Sequence, residues 1–428
     1  MTKLAIRGGE PIRRKPYPPF LTTGEEEAQV AAEVMRRGIL SDFEGSNNEY
    51  FLGGKEVQSF EKEWAEYFGV RHAVSVNSAT SGLMAAVGAA GVGPGDEVIT
   101  TPWTMTATAT AVVVNNAVPI FADITEDTLT LSPAAVEKRI TPRTKAVIPV
   151  HIYGQPAEMD ELNAVAKANG LVVIEDAAQS PGIRYKGRYT GTIGDMGVFS
   201  LNCHKIIQTG EGGVIVTDSD EFAGRLRLIR NHAEAVVATG MAVSSLVNMV
   251  GWNYRMNEVE AAVGKVQLRK LNSLLVRRRQ LVDRFLNGVK GLSGLRPPSI
   301  REGCEHSFYR LMLQIDPDII GFDAPVLVEI LNKEGMDFYA GYLPINLFPM
   351  YQQQIAFGDR GCPFRCPWYE GKPDYSMDAL PVVQRMRKVS FTTEVITHCI
   401  AETDIDEMIA AFHKVWARLD EVRDYAKQ

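Results

Sequence analysis

An α/β fold is expected, built as a mixed, mostly parallel sheet with helices on both faces and followed by a smaller C-terminal α+β domain. Three observations predict it. From Val98 onward short β-branched runs alternate with helical patterns, the alternation that a helix-covered parallel sheet produces. Apolar residues make up 45% and charged residues 23% of the chain, an ordinary globular mixture. The 428-residue length is more than one compact core usually holds, so two domains are expected, 1–285 and 286–428.

Taken in order, a helical run at 83–90 precedes a turn at Gly91-Val-Gly-Pro-Gly95, and strands are expected at 97–101, 118–124, 145–151, 171–175, 196–202 and 213–217. Ser132-Pro133 starts a helix, with serine as cap and proline in the first turn. A further helix over 156–169 is entered by Pro156 and closed by Gly170. From 257 to 289 apolar residues recur at helical spacing with Arg-rich polar faces, giving one long helix or a kinked pair that carries the chain between domains. A strand at 308–315, a helix at 324–333 and a final helix at 404–426 complete the second domain. The stretch 343–386, rich in Pro, Gly and aromatics without periodicity, is expected as an ordered loop region.

The balance of 45 basic against 52 acidic residues gives −7, with both signs interspersed. No nucleic-acid partner is expected from such a surface. No apolar run reaches the roughly 20 residues that span a bilayer. The N-terminus has no secretory apolar core, so the expectation is a soluble cytoplasmic protein without a membrane partner. Five cysteines are few and odd in number, which predicts reduced structural thiols. Cys362 and Cys366 lack the further ligands a zinc site needs, so no metal is expected.

Gly53-Gly54-Lys55 fails as a phosphate loop because Glu56 stands where a hydroxyl should come next. Gly91 to Gly95 fails as a dinucleotide fingerprint because the glycines precede a strand. Neither a Gly-x-Ser-x-Gly elbow nor a His-Glu-x-x-His pair occurs.

Chemistry gathers elsewhere. Leu171-Val-Val-Ile-Glu175-Asp176 places an acidic pair at the carboxyl end of a buried strand, where open α/β sheets bind ligands. Alone, Asp176 reads equally well as the cap of the next turn. A second apolar strand, ending near Ser200, leads into Lys205 beside the glycine-rich Gly210-Glu-Gly-Gly213. Desolvation there lowers a lysine pKa, which suits Schiff-base chemistry. Upstream, Asn77-Ser78-Ala79-Thr80-Ser81-Gly82 gathers hydroxyls and amides at a helix start, a seat for phosphate. An anion seat, a carboxylate and an amine are the parts that pyridoxal 5′-phosphate (PLP) requires.

These segments, with Gly93-Pro-Gly-Asp-Glu-Val-Ile99, Pro149-Val-His-Ile-Tyr-Gly154, Ile174-Glu-Asp-Ala-Ala-Gln-Ser180 and Gly251-Trp-Asn-Tyr-Arg-Met256, resemble the DegT/StrS-type family of PLP-dependent sugar and cyclitol aminotransferases, of PLP fold type I. The resemblance implies that Lys205 holds the cofactor and moves the substrate proton. Asp176 would keep the pyridine nitrogen protonated, and Gln179 would bind the phenolic-oxygen side. Ser78, Ala79 through its amide, Thr80 and Ser200 would bind the phosphate end, and Asn253 would reach the phosphate of the other subunit of a homodimer. The family's ring-stacking aromatic falls on Met105, with Trp103 two residues earlier as the alternative. The lysine is retained at 205 beside His204, which favours aminotransfer over the dehydration of the family members that carry histidine in its place. The implied reaction moves nitrogen from L-glutamine or L-glutamate to a keto-sugar or keto-cyclitol, in amino-sugar, aminocyclitol or antibiotic biosynthesis. Alternatives are an aminohydroxybenzoate synthase-like enzyme, a sugar dehydratase and a PLP-binding regulator without turnover. The segment 361–369, with Cys362 and Cys366, is expected to shape the acceptor pocket.

Overall fold

The computed structural model describes residues 3–427. After an N-terminal arm, α1 (Glu25–Arg37) and α2 (Lys55–Phe68) lead into β1 (His72–Val76). The next elements are α3 (Ala79–Ala89), β2 (Glu97–Thr100), α4 (Ala107–Val114), β3 (Val118–Phe121), α5 (Pro133–Glu137), β4 (Thr144–Ile148), α6 (Met159–Asn169) and β5 (Val172–Asp176). A two-stranded hairpin, β6 (Arg184–Tyr185) and β7 (Arg188–Tyr189), precedes β8 (Met196–Ser200) and β9 (Gly213–Thr217).

The seven-stranded sheet has the order β1-β9-β8-β5-β4-β2-β3. The pairings from β8 through β5, β4 and β2 to β3 are parallel, whereas β9 runs antiparallel to both β8 and β1. The expected mixed, mostly parallel sheet is therefore present. The strand β1, absent from the sequence expectation, closes one edge. Its His-Ala-Val-Ser-Val is too short and too small-chained to stand out, yet four of its five residues are buried. The reversal of β9 brings its first residue, Gly213, beside Ser200 at the carboxyl end of β8.

Beyond α7 (Asp220–Arg230) and α8 (Ala233–Ala238), α9 (Glu258–Gly288) runs unbroken, started by a capping box between Asn257 and Glu260. A second, four-stranded antiparallel sheet comes after it, in the order β10 (Leu295–Arg296), β11 (Leu311–Ile315), β13 (Ser390–Thr393), β12 (Tyr339–Ala340). The end of α9, α11 (Ala324–Lys333) and α14 (Glu402–Trp416) cover it around Phe285, Leu313, Phe338, Phe391 and Phe412, with the short α10 (Pro317–Ile320) at its edge. The arm joins this core through Leu4 and through Arg13, which bonds Asp404 at 2.8 Å. No helix among the described residues is long and apolar enough to cross a membrane.

Three expectations need correction. The helix expected over 404–426 breaks after Trp416, where Arg418 leaves the helical conformation at φ −138° and ψ 31°, and resumes as α15 (Leu419–Ala426). No glycine or proline marks that break in the sequence. The stretch 343–386 contains α12 (Pro349–Gln353) and the start of α13 (Pro381–Val389), both opened by proline. It packs on the first sheet, with Tyr351 and Tyr375 against Phe121 and the Tyr375 hydroxyl donating to Pro119 O at 2.8 Å. Cys362 and Cys366, expected as thiols, form a disulfide. The turn in which Arg365 N–H donates to Gly361 O at 3.0 Å brings their Cα atoms to 5.1 Å, within disulfide range.

Candidate active site

The carboxyl ends of β5 and β8 and the start of β9 form the floor of a site. Asp176 ends β5 and is buried. Its Oδ2 accepts from the Thr108 hydroxyl at 2.8 Å and its Oδ1 from Ala178 N–H at 3.2 Å. Burial pushes its pKa up, against the pull of those two hydrogen bonds and of Lys205. The neighbouring Glu175 points the other way into a structural network. It accepts from the amides of Gly191, Ile193 and Gly194 and from His151 Nε2 at 2.8 Å. Because His151 Nδ1 accepts from Ala157 N–H at 3.0 Å, its ring proton sits on Nε2.

The anion seat is assembled by sheet topology. Ser200 lies opposite Gly213 in the β8–β9 ladder. A Cβ on Gly213 would lie 2.7 Å from Ala79 N, so β9 begins against the first turn of α3. Ser78 caps α3, its Oγ accepting from Ser81 N–H at 3.1 Å, while the Ser81 hydroxyl donates to Asn77 Oδ1 at 2.6 Å. The Ala79 and Thr80 amides precede the first intrahelical bond and project from a positive helix end. Ser78, Ala79, Thr80 and Ser200 are thus brought together.

Lys205 sits in the 201–212 loop between β8 and β9, fixed by Lys205 N–H to Asn202 O at 2.8 Å and by the buried Ile206 and Ile207. Gly212 at φ +149° supplies a backbone form that side chains rarely allow. The Lys205 amine stands 4.4 Å from the Tyr309 ring centroid. Burial lowers its pKa, opposed by the charges of Tyr342 and Asp176, which leaves more neutral amine near pH 7 than an ordinary lysine has. Gln179 is buried with both ends engaged: Oε1 accepts from Tyr153 N–H at 2.6 Å and Nε2 donates to the Tyr342 hydroxyl at 3.3 Å.

Met105 and Trp103 separate clearly. Trp103 is fully buried, its indole N–H donating to the Tyr153 hydroxyl at 3.1 Å, whereas Met105 is 54% exposed and lies three residues before Thr108. Asn253 is exposed and forms a bridge with Asn231. Among the described residues its side chain makes no hydrogen bond to the Lys205 cluster.

Sequence reasoning missed Thr108, Tyr309, Arg310, Tyr342 and Glu394. Tyr342 lies just before the aperiodic stretch and reaches the site by stacking on Tyr153 at 5.6 Å between centroids. Tyr309 and Arg310 fall inside an expected strand, whose pattern says nothing about which residue faces a site about 100 positions away in sequence. A buried carboxylate, a desolvated amine, a helix-start anion seat and a glycine that lets backbone close on it are the chemistry PLP needs, so the residues present fit that cofactor.

Comparison with known proteins agrees. The model of a family described as the DegT/DnrJ/EryC1/StrS aminotransferase family matches residues 39–370. The spore coat polysaccharide biosynthesis protein SpsC of Bacillus subtilis is 36% identical over 353 residues, covering 81% of this chain and 88% of its own. An L-glutamine:2-deoxy-scyllo-inosose aminotransferase of Streptoalloteichus tenebrarius is 33% identical over 432 residues, covering 98% and 99%. The solved structure of DesI in the presence of its TDP-sugar product superposes with a TM-score of 0.81 at 27% identity, covering 99% of each chain.

Proposed function

This chain belongs to the DegT/DnrJ/EryC1/StrS aminotransferase family and is a PLP-dependent aminotransferase of sugar or cyclitol substrates, and we propose that it moves the amino group of L-glutamine or L-glutamate to a keto-cyclitol or keto-sugar in aminocyclitol, amino-sugar or antibiotic biosynthesis. The observation that carries this reading is the convergence of Lys205, Asp176, Gln179 and the Ala79–Gly213 seat at one end of the sheet. The full-length correspondence with a glutamine-using cyclitol aminotransferase supports glutamine as donor and a cyclitol as acceptor.

PLP supplies an electron sink for breaking the bonds to the substrate's amino-bearing carbon. The chain's own residues do the rest. Lys205 would supply the amine that holds the cofactor and would carry the substrate proton. Asp176, held by Thr108, places its carboxylate for the pyridine nitrogen. Gln179 orients the opposite side of the ring. Ser78, Ala79, Thr80 and Ser200 would hold the phosphate, and Met105 would pack on the ring.

The working unit of this proposal is a homodimer in which Asn253 completes the partner's phosphate seat. Exposed Val250, Trp252 and Phe357 line a cavity of about 710 Å³ in the single chain and support a covered face there. The two-domain division near residue 286 is retained, with the segment that carries Tyr342 bridging both parts. Cys203, Cys304 and Cys399 form no disulfide and speak for a cytoplasmic setting, against which the Cys362–Cys366 disulfide stands.

The test is spectroscopic. Purified protein is expected to be yellow, to bleach to the pyridoxamine form when L-glutamine or L-glutamate is added without acceptor, and to lose both properties in Lys205→Ala. Bound cofactor that neither donor converts would overturn the donor assignment. Failure to bind PLP would overturn the whole reading.

A further inference from the structure

A transaminase that works by double displacement takes two unlike molecules into one site in turn. On the reading above, one is an α-amino acid carrying a carboxylate and the other a polyol ketone carrying none. A fixed cation serves the first, but left bare in a desolvated site it is costly beside the second.

Arg310, which directly precedes β11, contributes to the electrostatic surroundings of the Lys205 amine. Its guanidinium carbon lies 5.8 Å from the ring centroid of Tyr342, whose hydroxyl accepts from Gln179. Nη2 meets Glu394 Oε2 at 2.6 Å, while Nε is buried without a hydrogen-bond partner. Nε and Nη2 form one edge of the fork, which a planar carboxylate fills with two parallel bonds. Glu394 covers only its Nη2 end, as an ion pair. Arg278, another cation near Tyr309, is committed to the carbonyls of Phe308 and Tyr309 at 2.9 and 3.0 Å.

Glu394 has room to leave. Its side chain is 42% exposed, and it lines both a cavity of about 70 Å³ with Phe20, His204 and Tyr309 and a groove of about 460 Å³ that opens past Asp337 and Lys15. The small cavity adjoins the lysine through Tyr309, and the groove shares Phe20, Glu394 and Thr397 with it.

We propose that Arg310 seats the donor's α-carboxylate and that Glu394 is an internal substitute for that carboxylate, displaced from Arg310 when the donor binds and restored when the uncharged acceptor takes its place. The inference rests on the amino-acid donor reading and adds the residues that let one site serve both substrates.

The test compares L-glutamine with its α-amide, in which a carboxamide replaces the α-carboxylate, as donors in the acceptor-free bleaching reaction. The wild type is expected to favour the acid at least 100-fold in rate at sub-saturating concentration. In Arg310→Gln that preference is expected to fall below tenfold and the half-saturating L-glutamine concentration to rise at least tenfold, with PLP still bound. Arg310→Lys, which keeps the charge and loses the fork, recovers part of the preference. In Glu394→Gln, donor half-saturation is expected to fall at least twofold and that of the keto-cyclitol acceptor to rise. An unchanged acid-to-amide preference in Arg310→Gln removes Arg310 as the seat, and unchanged half-saturation for both substrates in Glu394→Gln overturns the exchange. A wild type that converts neither L-glutamine nor L-glutamate refutes the donor reading and this inference with it, and does so before any variant is made.

Discussion

At the scale of single residues the site depends on two groups held away from their ordinary protonation. Burial raises the Asp176 pKa and lowers that of Lys205, and each opposes the shift of the other. The Thr108 hydroxyl at 2.8 Å and the Ala178 amide aim the carboxylate and favour its ionised form against that burial. Asp176→Asn is therefore expected to keep PLP bound while slowing donor conversion about 10²-fold or more, because an uncharged amide cannot stabilise a protonated pyridine nitrogen. Thr108→Val removes one of the two bonds and keeps the shape. It should slow the same step by roughly tenfold or more, in line with about 1.5–3 kcal/mol for a hydrogen bond to a charged group. Stopped-flow bleaching with L-glutamine measures both, and a Thr108→Val rate within twofold of wild type would show that Thr108 does not position the carboxylate.

At the scale of elements, the site exists because β9 reverses direction and places Gly213 beside Ser200 and against the start of α3. Gly213→Ala would push a Cβ to 2.7 Å from backbone at Ala79, a contact that only movement of helix or strand relieves. Phosphate affinity is expected to fall at least about tenfold through the displaced amides, read as the PLP dissociation constant by absorbance titration. An unchanged constant would mean that the seat does not depend on this packing. The same contrast explains which parts of the site are legible in the sequence. Lys205, Asp176 and the Ser78–Thr80 turn are legible because short motifs carry them at strand ends and helix starts. The sheet's parallel strands are legible as apolar runs. Tyr309, Arg310, Tyr342 and Glu394 are not, because a side chain's approach to a site from the second sheet leaves no local period. The break at Arg418 carries no glycine or proline, and the helices opened by Pro349 and Pro381 are too short to show a period of their own, α12 being held by Tyr351 against Phe121.

At the scale of the whole molecule, stability and assembly each leave a measurable mark. His306 is buried, its Nδ1 accepting from Phe308 N–H at 2.8 Å, and burial lowers its pKa to about 3. A base depressed in the folded state contributes stability that is fully present above its unfolded pKa of roughly 6.5 and is lost as pH falls toward the folded value. Between pH 7.5 and 5 that loss amounts to about 2 kcal/mol, since the unfolded chain alone takes up the proton. Urea denaturation of the wild type and His306→Gln is expected to differ by that amount in pH dependence, and parallel profiles would show that His306 titrates normally. Assembly is tested by mixing. If Asn253 completes a partner's phosphate seat, Lys205→Ala and Asn253→Asp chains are each inactive alone. Each heterodimer then regains one complete site, with Lys205 from one chain and Asn253 from the other, while the second site lacks both. Equal mixing with free exchange makes about half of the dimers heterodimeric, so activity should return to about a quarter of wild type. Activity that stays at zero while sedimentation confirms exchanged dimers would place Lys205 and Asn253 in the site of the same chain. The exposed Trp252 and Val250 beside Asn253 would then belong to a face that closes over no cofactor.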